Sequence, residues 1–157
     1  MAVKEVTQNL RLDKRSREWC LLPYPNHPYG CPNYGMRDTC PPAAPLVQEF
    51  IDIQRSLWLV VVAYDIGKQA ERMLQQHPDW SQRQARNLLY WQGGVNADLD
   101  IQARVFVQEH PGTIYTLCPE AMGVNMIATA QRAGIPVKVR PDPWVYKMAL
   151  VGYPTNG

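Results

Sequence analysis

The chain lacks most of the features that announce a partner. Its 16 basic side chains outnumber 14 acidic ones by two, a net charge of +2 in 157 residues. That is too small a field for binding nucleic acid across the surface. The local cluster Arg11, Lys14, Arg15 and Arg17 reads as a solvated, partly mobile N-terminal arm. The longest apolar run, Leu57 to Ala63, falls far short of the roughly 20 residues a membrane helix needs, so no membrane partner is expected. Residues Met1 to Glu18 lack the apolar stretch of a secretory signal, and the expected location is cytoplasmic. Gly67, Gly93-Gly94 and Gly123 belong to neither phosphate-binding glycine pattern. Repeats and low-complexity tracts are absent as well.

What the chain does have is a concentration of cysteine and proline. Cys20, Cys31 and Cys40 fall within 21 residues, and Cys118 stands alone far downstream. In a reducing compartment an even cysteine count points to a metal site rather than to disulfides. The gaps of ten and eight residues between the first three are wider than the two to four usual between paired ligands of small zinc modules. Filled by Pro23, Pro25, Pro28 and Pro32, and followed by Pro41 and Pro42, they describe a stiff loop wrapped around something larger than one ion. A cubane cluster with thiolate corners is such an object.

Cys118 reads either as a small buried residue ending a strand or as the fourth ligand brought back by folding. Ligating thiols must lose their protons, which a nearby cation or helix N-terminus favours; Arg37 and the segment after Cys118 would supply that field. His27 is a reserve ligand or a surface histidine. Tyr34 would pack over a cluster, with Asn33 and Gly35 serving a turn. Asp38 and Glu120 flank the cysteines and would be placed for proton transfer, although the dipole of a first helical turn already accounts for Glu120. His77 and His110 each precede a proline at an expected helix end, a structural position.

The organisation expected is a single metal-binding domain over 1–157, with a polar arm at 1–17 and a Cys/Pro-rich loop at 18–45. Leu57 to Tyr64, apolar and β-branched without alternation, predicts a central strand covered on both faces. Helices are expected at 43–53, at 67–76, from a capping box at Ser81-Gln-Arg-Gln84 through Leu88, Leu89 and Trp91, and at 97–109, with Gly93-Gly94 as an interruption. Strands are expected at 113–117, 135–140 and 144–152, and a helix at 119–133, with Pro119 at its start and Gly134 past its end. The tryptophans, Met122, Met126, Ile127 and Ala130 fall at the spacings of core residues. Strands alternating with helices predict an α/β layered fold: a small, mostly parallel sheet flanked by helices, plus the irregular N-terminal segment.

Two strings carry a family resemblance: Cys31-Pro-Asn-Tyr-Gly-Met-Arg-Asp-Thr-Cys40-Pro-Pro, and Cys118-Pro-Glu-Ala-Met-Gly-Val-Asn125 with the following Ala-Gly-Ile135. Over roughly residues 18 to 152 the chain resembles the bacterial and archaeal predicted metal-binding proteins catalogued as domain of unknown function 2284, a family without an established reaction. The resemblance implies a cysteine-bound metal, iron-sulfur in type, with Cys20, Cys31 and Cys40 matching the N-terminal cysteine pattern and Glu120 to Gly123 matching the C-terminal signature. Where that family carries a further cysteine-rich run, this chain offers only Cys118, which leaves room for one cluster. The expectation is therefore one [4Fe-4S] cluster on Cys20, Cys31, Cys40 and Cys118, with a redox or sulfur-transfer partner. The alternative is zinc stapling a non-enzymatic α/β interaction module.

Overall fold

The computed structural model describes residues 2–22, 28–31, 34–36, 40–87, 90–138 and 143–156, with the side chain of Cys20 outside that description. Four strands, β1 (Ala2–Glu5), β2 (Trp58–Asp65), β3 (Ile114–Thr116) and β4 (Trp144–Gly152), form one sheet in the order β1-β2-β4-β3. Every pairing is antiparallel, with Val61 opposite Met148 in the central pair. The expected mostly parallel sheet is therefore corrected to an antiparallel one. The misreading has a physical source, because an unbroken apolar strand reports burial on two faces, and helices supply that here without parallel pairing.

Leu57, Leu59 and Val61 point to one side, into a core with Val47, Ile51, Val124, Met126 and Leu150. Val60 and Val62 point to the other, against Trp91, Val95, Leu99, Ala103 and Phe106. The second layer is one helix, α4 (Gln92–Glu109). The first is built from short pieces: α1 (Val47–Phe50), a 3-10 helix at Pro119–Met122, and α5 (Met126–Arg132). At the back of this core Gly152 is obligatory, since a Cβ there would lie 2.6 Å from Ile51 and 2.9 Å from Leu57.

Several helices differ from expectation. The single helix over 119–133 is split, because Gly123 turns left-handed at φ +88 and Asn125 caps a new helix by accepting from the Ala128 amide at 3.0 Å. Gly93 and Gly94 do not interrupt a helix but lie in the first turn of α4. The expected helix at 43–53 contracts to four residues. α2 (Ile66–Gln76) forms as read, and so does the Ser81 capping box, but the helix it opens, α3 (Gln82–Ala85), ends after four residues and does not run on to Trp91, which caps α4 instead; Leu88 and Leu89 lie outside the described residues. Residues 135–138 form no strand, and 139–140 lie outside the description.

The polar N-terminus is structured. β1 pairs with β2, and residues 11–13 run along 123–125, with Asn125 donating to the Arg11 carbonyl and Asp13 donating to that of Gly123, both at 2.8 Å. Arg15 pairs with Asp13 at 3.0 Å.

Candidate functional site at the open sheet edge

β3 is an edge strand, and the chain leaves it through Leu117 and Cys118 directly into the Pro119–Met122 helix. Pro119 begins that helix without an amide to satisfy. Beside it lies a cleft of about 460 Å³ lined by Ala44, Pro45, Phe50, Asp100, Tyr115, Cys118 and Met122. Its walls therefore come from the loop before α1, from α4 and from the segment that carries Cys118. Cys118 is exposed, and its amide donates to Thr116 Oγ1 at 3.1 Å.

The polar wall is a closed network. Tyr115 Oη donates to Asp100 Oδ1, and Arg104 pairs with the other oxygen of Asp100 at 2.6 Å. Burial, helped by the Asp100 hydrogen bond, holds the Tyr115 phenol above its usual range, and Arg104 pulls against that shift.

Two titratable groups flank Cys118. Burial pushes the Glu120 carboxyl up, opposed by a backbone hydrogen bond and by the charge of Lys147. Burial also pushes the Lys147 ammonium down, opposed by the charges of Glu120 and Cys118. Glu120 thus is not a carboxylate settled by a helix dipole: its helix has four residues, and desolvation dominates. Lys147 was not among the sequence candidates. The signal was there, since it is the only charge in the strand Trp-Val-Tyr-Lys-Met-Ala-Leu-Val-Gly.

The four cysteines occupy separate segments joined by a frame of hydrogen bonds. Cys20 lies in the 3-10 helix Lys14–Leu21. Within that helix the buried Ser16 hydroxyl donates to the Glu120 carbonyl at 2.8 Å, two residues from Cys118. The neighbouring Arg17 donates to the carbonyls of Pro42 at 2.9 Å and Ala44 at 2.7 Å, and the Ala44 amide in turn donates to the Cys40 carbonyl at 2.9 Å. The Gly35 amide, at φ +72 where glycine is favoured, reaches the Pro41 carbonyl at 2.9 Å, and the preceding Tyr34 amide donates to the Cys31 carbonyl at 3.1 Å. Cys31 and Cys40 are half-buried free thiols.

Among the described residues, no three His, Cys, Asp or Glu side chains group closely enough to hold a metal ion. The fold brings the cysteine-bearing segments together without closing Cys31, Cys40 and Cys118 on one point. His27, Asn33, Arg37 and Asp38 lie outside the described residues. His77 stacks on Trp80 at 3.9 Å and His110 stacks on Phe106 at 3.9 Å, each capping a helix end as read from the sequence. Comparison with family models, with curated proteins and with solved structures finds no match for this chain.

Proposed function

We propose that this chain is a small metal-binding protein that holds one [4Fe-4S] cluster through Cys20, Cys31, Cys40 and Cys118 and serves redox or sulfur-transfer chemistry. The observation that supports the reading is the hydrogen-bond frame from Cys31 through Gly35, Pro41, Arg17 and Ser16 to the Glu120 carbonyl, which links the four cysteine-bearing segments to one another. Thiols are the right donors in kind for such a cluster. They need not converge on a point, because each corner of a cubane takes its own ligand. Metal binding in an irregular segment also orders that segment, so the final approach of the thiols belongs to the loaded state.

When bound, the cluster supplies one-electron chemistry at a potential set by its hydrogen bonds and exposure. The protein's own part is to set the Lys147 side chain within electrostatic reach of Cys118 and to border that position with the largely apolar cleft.

The test is anaerobic purification followed by iron, sulfide and zinc analysis. Broad absorption near ~400 nm with about four irons and four sulfides per chain is expected, and it should be lost in Cys31→Ser and Cys40→Ser. A colourless protein with one zinc would overturn the cluster reading in favour of a zinc staple. In Cys118→Ser, loss of the cluster would mark Cys118 as a ligand, whereas an intact cluster with altered chemistry would mark it as a reacting group.

A further inference from the structure

The two edges of the sheet differ. β1, at one edge, carries Lys4 and Glu5, and charge on an edge discourages the approach of another strand. β3, at the other, continues into Leu117 as Ile-Tyr-Thr-Leu, with no charge and no proline. Among the described residues, no main-chain group of 114–117 bonds to anything beyond the ladder with β4. In an antiparallel ladder only every second residue turns its N–H and C=O to the partner, so β3 holds an outward row of unpaired donors and acceptors.

That row lies in a recess. The cleft of about 460 Å³ touches Asp100 on α4 as well as Phe50 and Met122 in the opposite layer. The sheet separates those layers: Tyr115 turns to α4, where its hydroxyl donates to Asp100, and Ile114 packs against the core that Phe50 and Met122 share. A single space that touches both layers therefore passes around the open edge of β3, and its lining includes Tyr115, Thr116 and Leu117. Walls from both layers stand beyond the edge and leave a slot with the β3 main chain as its floor. Leu117 is 36% exposed there.

Alternating N–H and C=O dipoles, repeated at about 3.3 Å per residue, are matched in position and sign by another extended main chain, whereas a small ligand satisfies them only one at a time. The walls decide whose strand it is. A second copy pairing edge to edge would bring its own overhanging layers against these before the two β3 main chains reached the roughly 4.8 Å of a ladder; a lone strand has no such layers. Successive side chains of an added strand point to opposite faces. One set would face Asp100 and the Tyr115 ring, and the next would face Phe50 and Met122, whose apolar surfaces suit a large apolar side chain. β3 has only three residues, so affinity rests on that side chain as well as on the main-chain hydrogen bonds. We infer that the slot docks an extended segment of a partner protein, added to β3 as a fifth strand with an apolar side chain seated against Phe50 and Met122. The docking uses no metal, so it stands apart from what the cysteines bind.

The test is a ¹H–¹⁵N NMR titration of the full chain with a short capped peptide that alternates threonine and valine around a central phenylalanine. Two further peptides carry N-methyl groups on alternate amides, one in each frame. Saturable shifts are expected at the amides of 114–117, with slowed hydrogen exchange at those that turn outward. A strand in the slot pairs through one of its edges, so one methylated frame should bind like the parent peptide and the other roughly tenfold more weakly or worse. Serine in place of the central phenylalanine should cost about tenfold. Leu117→Lys sets a charge at the rim and should weaken the parent peptide roughly tenfold while the melting temperature holds, because Leu117 lies at the surface. Equal binding of the two methylated frames, shifts that avoid 114–117, or no saturable shift up to about 1 mM peptide would overturn the inference. So would a dimer of the free chain that Leu117→Lys dissociates, since a second copy would then hold the edge.

Discussion

The central strand and the cysteine loop are held by different forces. In β2 and the turn before it, Leu57, Leu59 and Val60 are fully buried, and the strand is fixed by apolar contact on both faces. In 18–45 the described buried residues are Gly30, Pro41 and Ala44, while Leu21, Leu22, Tyr29 and Met36 are exposed, the last two at 90% and 74%. No large apolar side chain among the described residues of the loop is buried, so its order rests on backbone hydrogen bonds and on Arg17 and Ser16. A sheet can be specified by burial alone; in the proposed function the cluster would supply the cross-link that this loop's composition does not.

The sharpest way to break that contrast is a pair of truncations. Leu59→Ala should destabilise the fold by about 2–5 kcal/mol in urea unfolding, and Met36→Ala should stay within about 0.5 kcal/mol. A comparable cost for both would dissolve the distinction. Ser16→Ala comes next: it removes one of two donors to the Glu120 carbonyl, which keeps the Gly123 amide at 3.1 Å, and should cost about 1–1.5 kcal/mol. It should also lower the metal content of the purified protein, which a purely local defect would not do.

Lys147→Met tests the polar side of the cleft. The folded Lys147 value lies below the ordinary 10.5, so the folded state sheds this proton before the unfolded state does. The penalty of burying the charge is full below the folded value and is relieved as pH rises through it. The variant should therefore be more stable than the parent at neutral pH, with the gain shrinking under alkaline conditions; a gain that grows with pH would contradict the assignment. Tyr115→Phe is the smallest effect, a loss of about 1 kcal/mol near neutral pH. The Tyr115 phenol is raised, so its contribution is present below its ordinary value and lost as pH rises through the folded one. Stability measured against pH should show the variant and the parent converging above pH ~10.

Much of the fold was legible because burial writes a pattern. β4 runs over the 144–152 read from its apolar and β-branched residues, and the Ser81 box and Gly134 mark helix ends as their chemistry requires. Strand direction was not legible, since Leu57 to Tyr64 looks the same in a parallel sheet and in an antiparallel one with both faces covered. The split at Gly123 was hidden because glycine inside a helical pattern reads as tolerated until Asn125 is seen to cap the next turn. At the site, the cysteines announced themselves, but Ser16 and Arg17 read as part of a solvated arm. Their role depends on carbonyls more than twenty residues away.

The most direct test of the central claim is amide hydrogen exchange on the anaerobically purified protein before and after chelator treatment. The account predicts that protection falls at 28–31, 34–36, 40–46 and 118–123 on metal removal while the amides of β2 and β4 keep theirs. Unchanged protection in the loop, or a loss spread evenly into β2 and β4, would contradict it.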